Sequence, residues 1–260
     1  MSAAATDRSF HLGLTATHVI DEAVDLTRAS HLWGWSIRDL ARSLGVSPSV
    51  VYHHVGGKDA LCRAVADRVI GSLSVPDSAD ARWDEWFRTL LRNEGPRIAD
   101  HPGVAKWMLM HGPTISSAST ILERGMTLLI DAGFGADAPS AYAVLLNTAM
   151  TTIATGDDRR QHEEDGPRDH STMMAEFERL HAASPAAMAI GNDFIGAFAA
   201  GGDTAERMRW SYYGFAIDTV IAGLSSRLTE AVASGSDRES SVADLPPSPP
   251  TPHRSERTSA

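Results

Sequence analysis

Between residues 47 and 58 the chain gathers an unusual chemical mixture on what reads as one short helix. Ser49, Val50, His53 and His54 fall on one face with Tyr52 at its edge, while Val51 and Val55, four residues apart, fall on the other. Hydroxyls and imidazoles bond base edges or phosphate oxygens, and a valine methyl can meet the methyl of thymine. Two apolar anchors opposite such a face suit a helix lying in a DNA major groove. Ser47 and Pro48 open the helix as N-cap and first helical residue, and Gly56-Gly57 closes it. Lys58 then begins the next helix, where its charge and free backbone N–H groups would hold a phosphate.

The preceding segments must hold that helix in place. Ser36 followed by Asp39 reads as a capping-box-like start, and Ile37, Leu40, Ala41 and Leu44 recur at helical spacing. Gly45 follows where a helix end needs positive φ, and Val46 would plug the turn. A first helix capped by Thr15 is expected to run to about Trp33, with Val19, Ile20, Ala23, Val24 and Leu26 as its buried stripe. Gly34 can end it, and Trp33 and Trp35 are expected to seal the joint between helices. A fourth helix over 58–73 turns Leu61, Ala64, Val65 and Val69 inward and would join two domains.

The pattern L-A-x-x-L-G-V-S-x-x-x-x-Y-x-H-V-x-x-K-x-x-L, present from Leu40 to Leu61, resembles the DNA-binding domain of the TetR (tetracycline-repressor-like) family of bacterial regulators. The likeness covers residues 14–74. It implies an all-α protein: an N-terminal three-helix domain with a helix-turn-helix, then a larger helical ligand-binding and dimerisation domain. It places Arg38 where the family carries a guanine-contacting side chain. Ser49, Val50, Tyr52 and His54 fall on recognition-helix contact positions, and Lys58 on the phosphate anchor. With Ser47, Pro48 and His53 these form the expected DNA-binding set. The implied function is a ligand-responsive regulator, most simply a repressor that binds a palindromic operator as a homodimer and is released by a small apolar or aromatic effector.

Charge agrees with a site-specific binder rather than a nucleic-acid coat. The net charge is −10, yet residues 1–75 hold seven basic and seven acidic side chains, leaving the deficit to the remainder. Around the reading helix, Arg38, Arg42, Lys58, Arg63 and Arg68 outnumber Asp39, Asp59 and Asp67. No apolar run approaches the ~20 residues of a membrane span, and the N-terminus lacks a basic region followed by an apolar stretch, so a cytoplasmic protein without a membrane partner is expected. Cys62 is the sole cysteine, which excludes an intrachain disulfide and reads as a small core residue.

Residues 1–13 read as a disordered arm, 14–74 as the DNA-binding domain, 77–233 as the second domain, and 234–260, rich in Ser and Pro, as a disordered tail. The second domain shows helical pattern from Trp83 until Gly95-Pro96, then over 104–111, 116–132, 139–155, 171–183, 185–199 and 203–228, with a charged loop at 157–170. Trp86, Trp107, Met108, Met110, Met126, Met150, Met173 and Phe177 could line a cavity for a flat, greasy molecule. His111, Asn147 and Thr151 are polar groups in apolar helical segments and could orient it. Leu145, Ala149, Trp210, Tyr213, Gly214, Ile217, Ile221 and Leu224 form stripes that could pair across a two-fold axis or face their own core.

His162, Glu163, Glu164, Asp165 and His170 lack ligand spacing, so a solvated surface is expected rather than a metal site. No nucleophile elbow, phosphate loop or paired-cysteine motif occurs, so neither catalytic residues nor a cofactor are expected. The competing readings are a helical carrier or enzyme whose first domain has lost DNA binding, and an activator built on the same domain.

Overall fold

The computed structural model describes the backbone of residues 13–164 and 170–243 and the side chains of 13–161 and 172–230. The expected arm and the end of the tail lie outside these residues. Every regular element among them is helical. The first domain consists of α1 (Ala16–Ala29), α2 (Ile37–Ser43), α3 (Pro48–Val55) and α4 (Lys58–Gly71). The second holds α5 (Trp83–Ala99), α6 (Val104–His111), α7 (Ala118–Asp131), α8 (Ala138–Glu164), α9 (His170–His181), α10 (Pro185–Ile190), a π turn at Gly191–Ile195, α11 (Gly196–Ala199) and α12 (Gly202–Ala243).

Local chemistry explains the first four boundaries. Thr15 caps α1 by accepting from the His18 N–H at 3.2 Å. The helix stops at Ala29, short of Trp33: the Ser30 hydroxyl bonds back to Leu26 O at 2.8 Å, a local alternative to the helical ladder. Trp35 is buried and donates its indole N–H to Thr27 Oγ1 at 3.0 Å, whereas Trp33 is exposed, so only one of the two tryptophans seals the joint. Ser36 and Asp39 form a complete capping box at α2. The Ser36 hydroxyl holds the Asp39 carboxyl down at about 2, with Arg42 assisting. Gly45 adopts φ 67°, and Val46 N–H reaches back to Ala41 O at 2.9 Å, closing the turn.

Helices α5 and α8 run longer than their sequences suggest. α5 passes through Gly95-Pro96 to Ala99. Proline removes a ladder hydrogen bond one turn back, and in that turn the buried Tyr213 of α12 donates its hydroxyl to Leu91 O at 2.8 Å. A Cβ at Gly95 would lie 2.6 Å from Tyr213 Oη, so the glycine admits the phenol. α8 continues through Asp157 and Asp158, where a loop is expected, because both carboxylates find partners on neighbouring segments. Asp157, 2% exposed, accepts from Gly103 N–H at 3.2 Å and from Arg160 at 2.9 Å. Asp158 pairs with Lys106 at 3.0 Å. α12 likewise extends to Ala243, beyond Ser234, where the composition marks a disordered tail.

The core is continuous through both domains. Leu145 and Ala149 of α8 and Ile217 and Ile221 of α12 are fully buried in it, facing the inside of their own chain. Tyr213 is occupied with α5, and a Cβ at Gly214 would lie 3.0 Å from the Arg92 guanidinium. Trp210 and Leu224 are half-buried, with the Trp210 indole donating to Glu206 at 2.7 Å.

The fit of Tyr213 into Gly95 gives a stability test. Gly95→Ala should destabilise the protein by about 1–3 kcal/mol through overpacking, and Tyr213→Phe by about 1 kcal/mol through the lost hydrogen bond. Denaturant unfolding checks both, and because the ring atoms Cζ and Cε1 would still lie 2.8 and 3.0 Å from the added Cβ, the double variant should remain less stable than the wild type.

Candidate nucleic-acid interface and ligand cavity

α3 is anchored from one side only. Val51 is fully buried and Val55 half-buried against the core, while Ser49, Tyr52 and His53 are exposed. Tyr52 keeps 53% of its surface open to solvent. Val50 and His54 are half-buried at the flanks. The His53 and His54 rings meet edge to face, with centroids 5.6 Å apart. Pro48 occupies the first turn, as its fixed φ favours. Ser47 is the N-cap by backbone geometry, but its hydroxyl makes no capping bond; it lies 2.8 Å from the Ser49 hydroxyl instead. Both hydroxyls therefore sit together on the outer side of the turn.

Arg38, in the first turn of α2, is exposed and forms no ion pair with any described residue. Lys58 differs from the expected arrangement. Its amine donates to Leu32 O at 2.9 Å and lies 2.7 Å from the centre of the Trp35 ring. Burial pushes it down to about 8. In this conformation the side chain faces inward, and the outward groups at the start of α4 are its first backbone N–H groups, which Gly57 leaves without a side-chain cap.

The two domains meet along a seam that includes Leu32. Its N–H donates to Pro102 O at 2.8 Å. His31 is buried beside it, and a Cβ at Gly103 would come within 2.6 Å of His31 Cε1. His101 donates Nδ1–H to Arg97 O and accepts from Arg28 at 3.0 Å, tying α1 to the end of α5. Burial raises the Asp157 carboxyl above its ordinary value, against the pull of Arg160. Asp67 of α4 accepts from Ser116 Oγ at 3.0 Å and Ser117 N–H at 2.9 Å, just before α7.

A largely apolar cavity of about 240 Å³ opens where α4, α5, α7 and α8 converge. Met108, Asn147 and Met150, three of the sequence candidates, line it. The other walls include Ile70 of α4, Leu73 just beyond it, Leu90, Ile121 and Tyr142. Burial raises the Tyr142 phenol to about 12, so it stays neutral. The remaining candidates lie elsewhere. Trp86 and Trp107 are core residues, with Trp107 stacked on His111 at 4.3 Å between centroids. Met126 packs against the core. Met110, 62% exposed, and Thr151 face outward. Met173 lines a separate cavity beside α11 and α12, and Phe177 pairs with His181.

Glu94 is the wall residue that the sequence reading misses. It is 6% exposed and stands on the apolar stripe Leu90, Leu91, Glu94 and Ile98 of α5. A carboxylate breaking an otherwise apolar helical face is a signal the sequence does contain. Among the described residues no three His, Cys, Asp or Glu side chains gather as a metal site requires. The side chains of His162, Glu163, Glu164, Asp165 and His170 lie outside those described. No helix among the described residues is long and apolar enough to cross a membrane.

No protein-family model matches the chain. A curated relative, an HTH-type transcriptional regulator of Saccharopolyspora erythraea, is 27% identical over 180 residues, spanning 68% of this chain and 74% of that protein. Ligand-free ActR from Streptomyces coelicolor has a TM-score of 0.66 at 21% identity, over 84% of this chain and 98% of ActR. The TetR family protein ActR in complex with actinorhodin gives 0.62 at 21% identity, over 82% and 97%. BioQ bound to its double-stranded DNA operator gives 0.50 at 22% identity, over 58% and 93%. Taken with the helix-turn-helix pattern at residues 40–61, these likenesses identify the fold of this chain as that of the TetR family of regulators.

Proposed function

We propose that this chain is a ligand-responsive, DNA-binding transcriptional regulator that acts as a homodimer. The observation that carries the reading is the setting of α3: one buried valine fixes the helix while Ser49, Tyr52 and His53 stand free on its outer face. In the simplest scheme the dimer represses, with two copies of α3 in adjacent major grooves of a palindromic operator, about 34 Å apart. The likeness to BioQ, solved on its operator, and to ActR, solved with actinorhodin, supports the two kinds of partner. Ile70, near the end of the helix whose first turn follows α3, and Leu73 just beyond it reach the cavity. An effector there would shift α4 and so the spacing of the reading helices.

The dimer surface is assigned to the outer faces of α8 and α12, since the inner stripes are occupied within one chain. Phe215, 69% exposed, leads a row completed by Thr219, Ala222 and Ser226, with Tyr212 a turn before it, and Val144 of α8 is exposed as well. Small residues behind a large one allow close approach of helices. A dimer also explains how a helix that spans only a few base pairs could select one site among many.

Lys58 holds its inward position at a cost, because a charged amine is taken out of water. A phosphate at the start of α4 would draw it outward. Its folded value lies below its unfolded one, so the unfolded chain binds the extra proton between about 8 and 10.5, and stability should rise with pH across that window.

Three measurements test this reading. Tyr52→Ala and Arg38→Ala should each weaken operator binding by about 1–3 kcal/mol in gel-shift titration, with helicity unchanged; full affinity in both would remove α2 and α3 from the interface. Lys58→Met should lower the slope of log affinity against log salt by about 0.9 and flatten the rise in stability between pH 8 and 10.5. An unchanged slope with lost stability at neutral pH would make Lys58 a structural residue only. Phe215→Arg should shift the sedimentation coefficient from dimer to monomer and reduce operator affinity at least about tenfold; a dimer of unchanged stability would place the interface elsewhere.

A further inference from the structure

Among the described residues that line the cavity, Glu94 alone carries a charge. Its carboxylate is nine-tenths buried, and one partner among the described residues reaches it: Arg97 Nη1, 3.3 Å from Oε2. That guanidinium is more than half exposed, and the same nitrogen also faces Ser72 O and Ser74 Oγ, each at 3.3 Å. Oε1 accepts no hydrogen bond from a described residue. The Tyr213 hydroxyl on the same wall is already spent on Leu91 O. A largely buried carboxylate with a spare oxygen beside an apolar chamber is poised for a donor that the described residues do not supply.

We propose that the cavity selects ligands that join an apolar, flat body to a protonated amine, with the ammonium donating to Glu94. The reading rests on the assignment of this cavity as an effector site and adds the chemical class of the ligand. Charge-assisted hydrogen bonds exceed neutral ones in strength, and low dielectric around Glu94 enlarges the difference. Tyr142 also lines the chamber, and aromatic rings attract cations. The carboxylate opposes anionic ligands of the same shape by like-charge repulsion and by the burial of a second negative group. The size of the chamber restricts the body to roughly two fused rings.

The test uses the full chain and three probes of one shape: 2-naphthylmethylamine, 2-naphthylmethanol and 2-naphthoate, titrated calorimetrically at neutral pH. The amine should bind at least about tenfold more tightly than the alcohol, with the carboxylate weakest. Glu94→Gln should bring amine and alcohol to within about threefold while leaving the alcohol unchanged. Ala143→Phe, at the cavity wall, should weaken both. Because Glu94→Gln could disturb the fold, its thermal transition and alcohol affinity serve as controls, and Leu122→Trp provides a second obstruction from another wall. Equal binding of the three probes, no binding of the amine, or an amine preference that survives in Glu94→Gln would overturn the proposal. If the amine binds through Glu94 yet operator affinity does not change, the ligand class stands and the effector role falls.

Discussion

Burial of α4 on two sides is the constraint on which both halves of the molecule depend. Leu61, Cys62, Val65, Ala66, Val69 and Ile70 are all buried, so the apolar stripe is wide enough to serve two cores. Its early residues pack on α1 behind α3; its last one borders the cavity. Close-packed side chains leave few voids, so a helix seated this way moves as a body or not at all. Polar struts fix its azimuth as well. Arg63 donates to Thr114 O, Asp67 accepts from Ser116 and Ser117, and Arg68 pairs with Asp21 at 3.0 Å. These struts are partly exposed and individually weak, which suits the shift of α4 that the proposed mechanism requires.

The seam around Leu32 ties the same helix to the second domain. The Leu32 carbonyl accepts from Lys58 at the head of α4, with the Cys62 thiol 3.8 Å away, while its N–H donates to Pro102 just before α6. Gly103, at φ 92°, lets His31 lie against the backbone there, and Asp157 secures the Gly103 N–H from α8. The first domain thus feels α6 and α8 through backbone groups that have no slack. Lys58 joins this seam and is also the first residue of α4. In the proposed scheme operator binding and domain docking would draw on one amine.

The helix-turn-helix was readable because its signals are local. Capping box, Gly45, Pro48 and the Val51–Val55 spacing each act within a few residues, and the boundaries of α2 and α3 follow them. Long-range partners set what the sequence obscured. Gly95-Pro96 reads as a stop until Tyr213 of α12 packs into the same turn, and Asp157-Asp158 reads as a loop until Gly103 and Lys106 from other segments satisfy it. Apolar stripes identify a buried face without saying what buries it. Ile217 and Ile221 therefore suited a partner chain as well as their own α8. For the same reason aromatic and Met content overestimates the cavity wall: large side chains fill cores, and a cavity survives where they are missing. Glu94 carried the opposite signal, since a lone carboxylate on an apolar stripe needs a reason that packing does not supply.

The position of Glu94 also bears on how a bound ligand could act. A ligand changes an equilibrium only by its differential affinity for two conformations, and coupling of about 1–3 kcal/mol is typical of such sites. The apolar wall offers little discrimination by itself, because a greasy body can settle against Ile70 and Leu73 in either of two nearby positions. Hydrogen bonds are less tolerant of displacement. Arg97 links Glu94 to Ser72 and Ser74, at and beyond the end of α4. A cation seated on Oε1 would draw charge from the Arg97 pair at Oε2 and so loosen this hold on the end of α4 while the ligand body presses on Ile70. Charge recognition and displacement of α4 are then one event, and the far end of that helix is where the reading helix is attached.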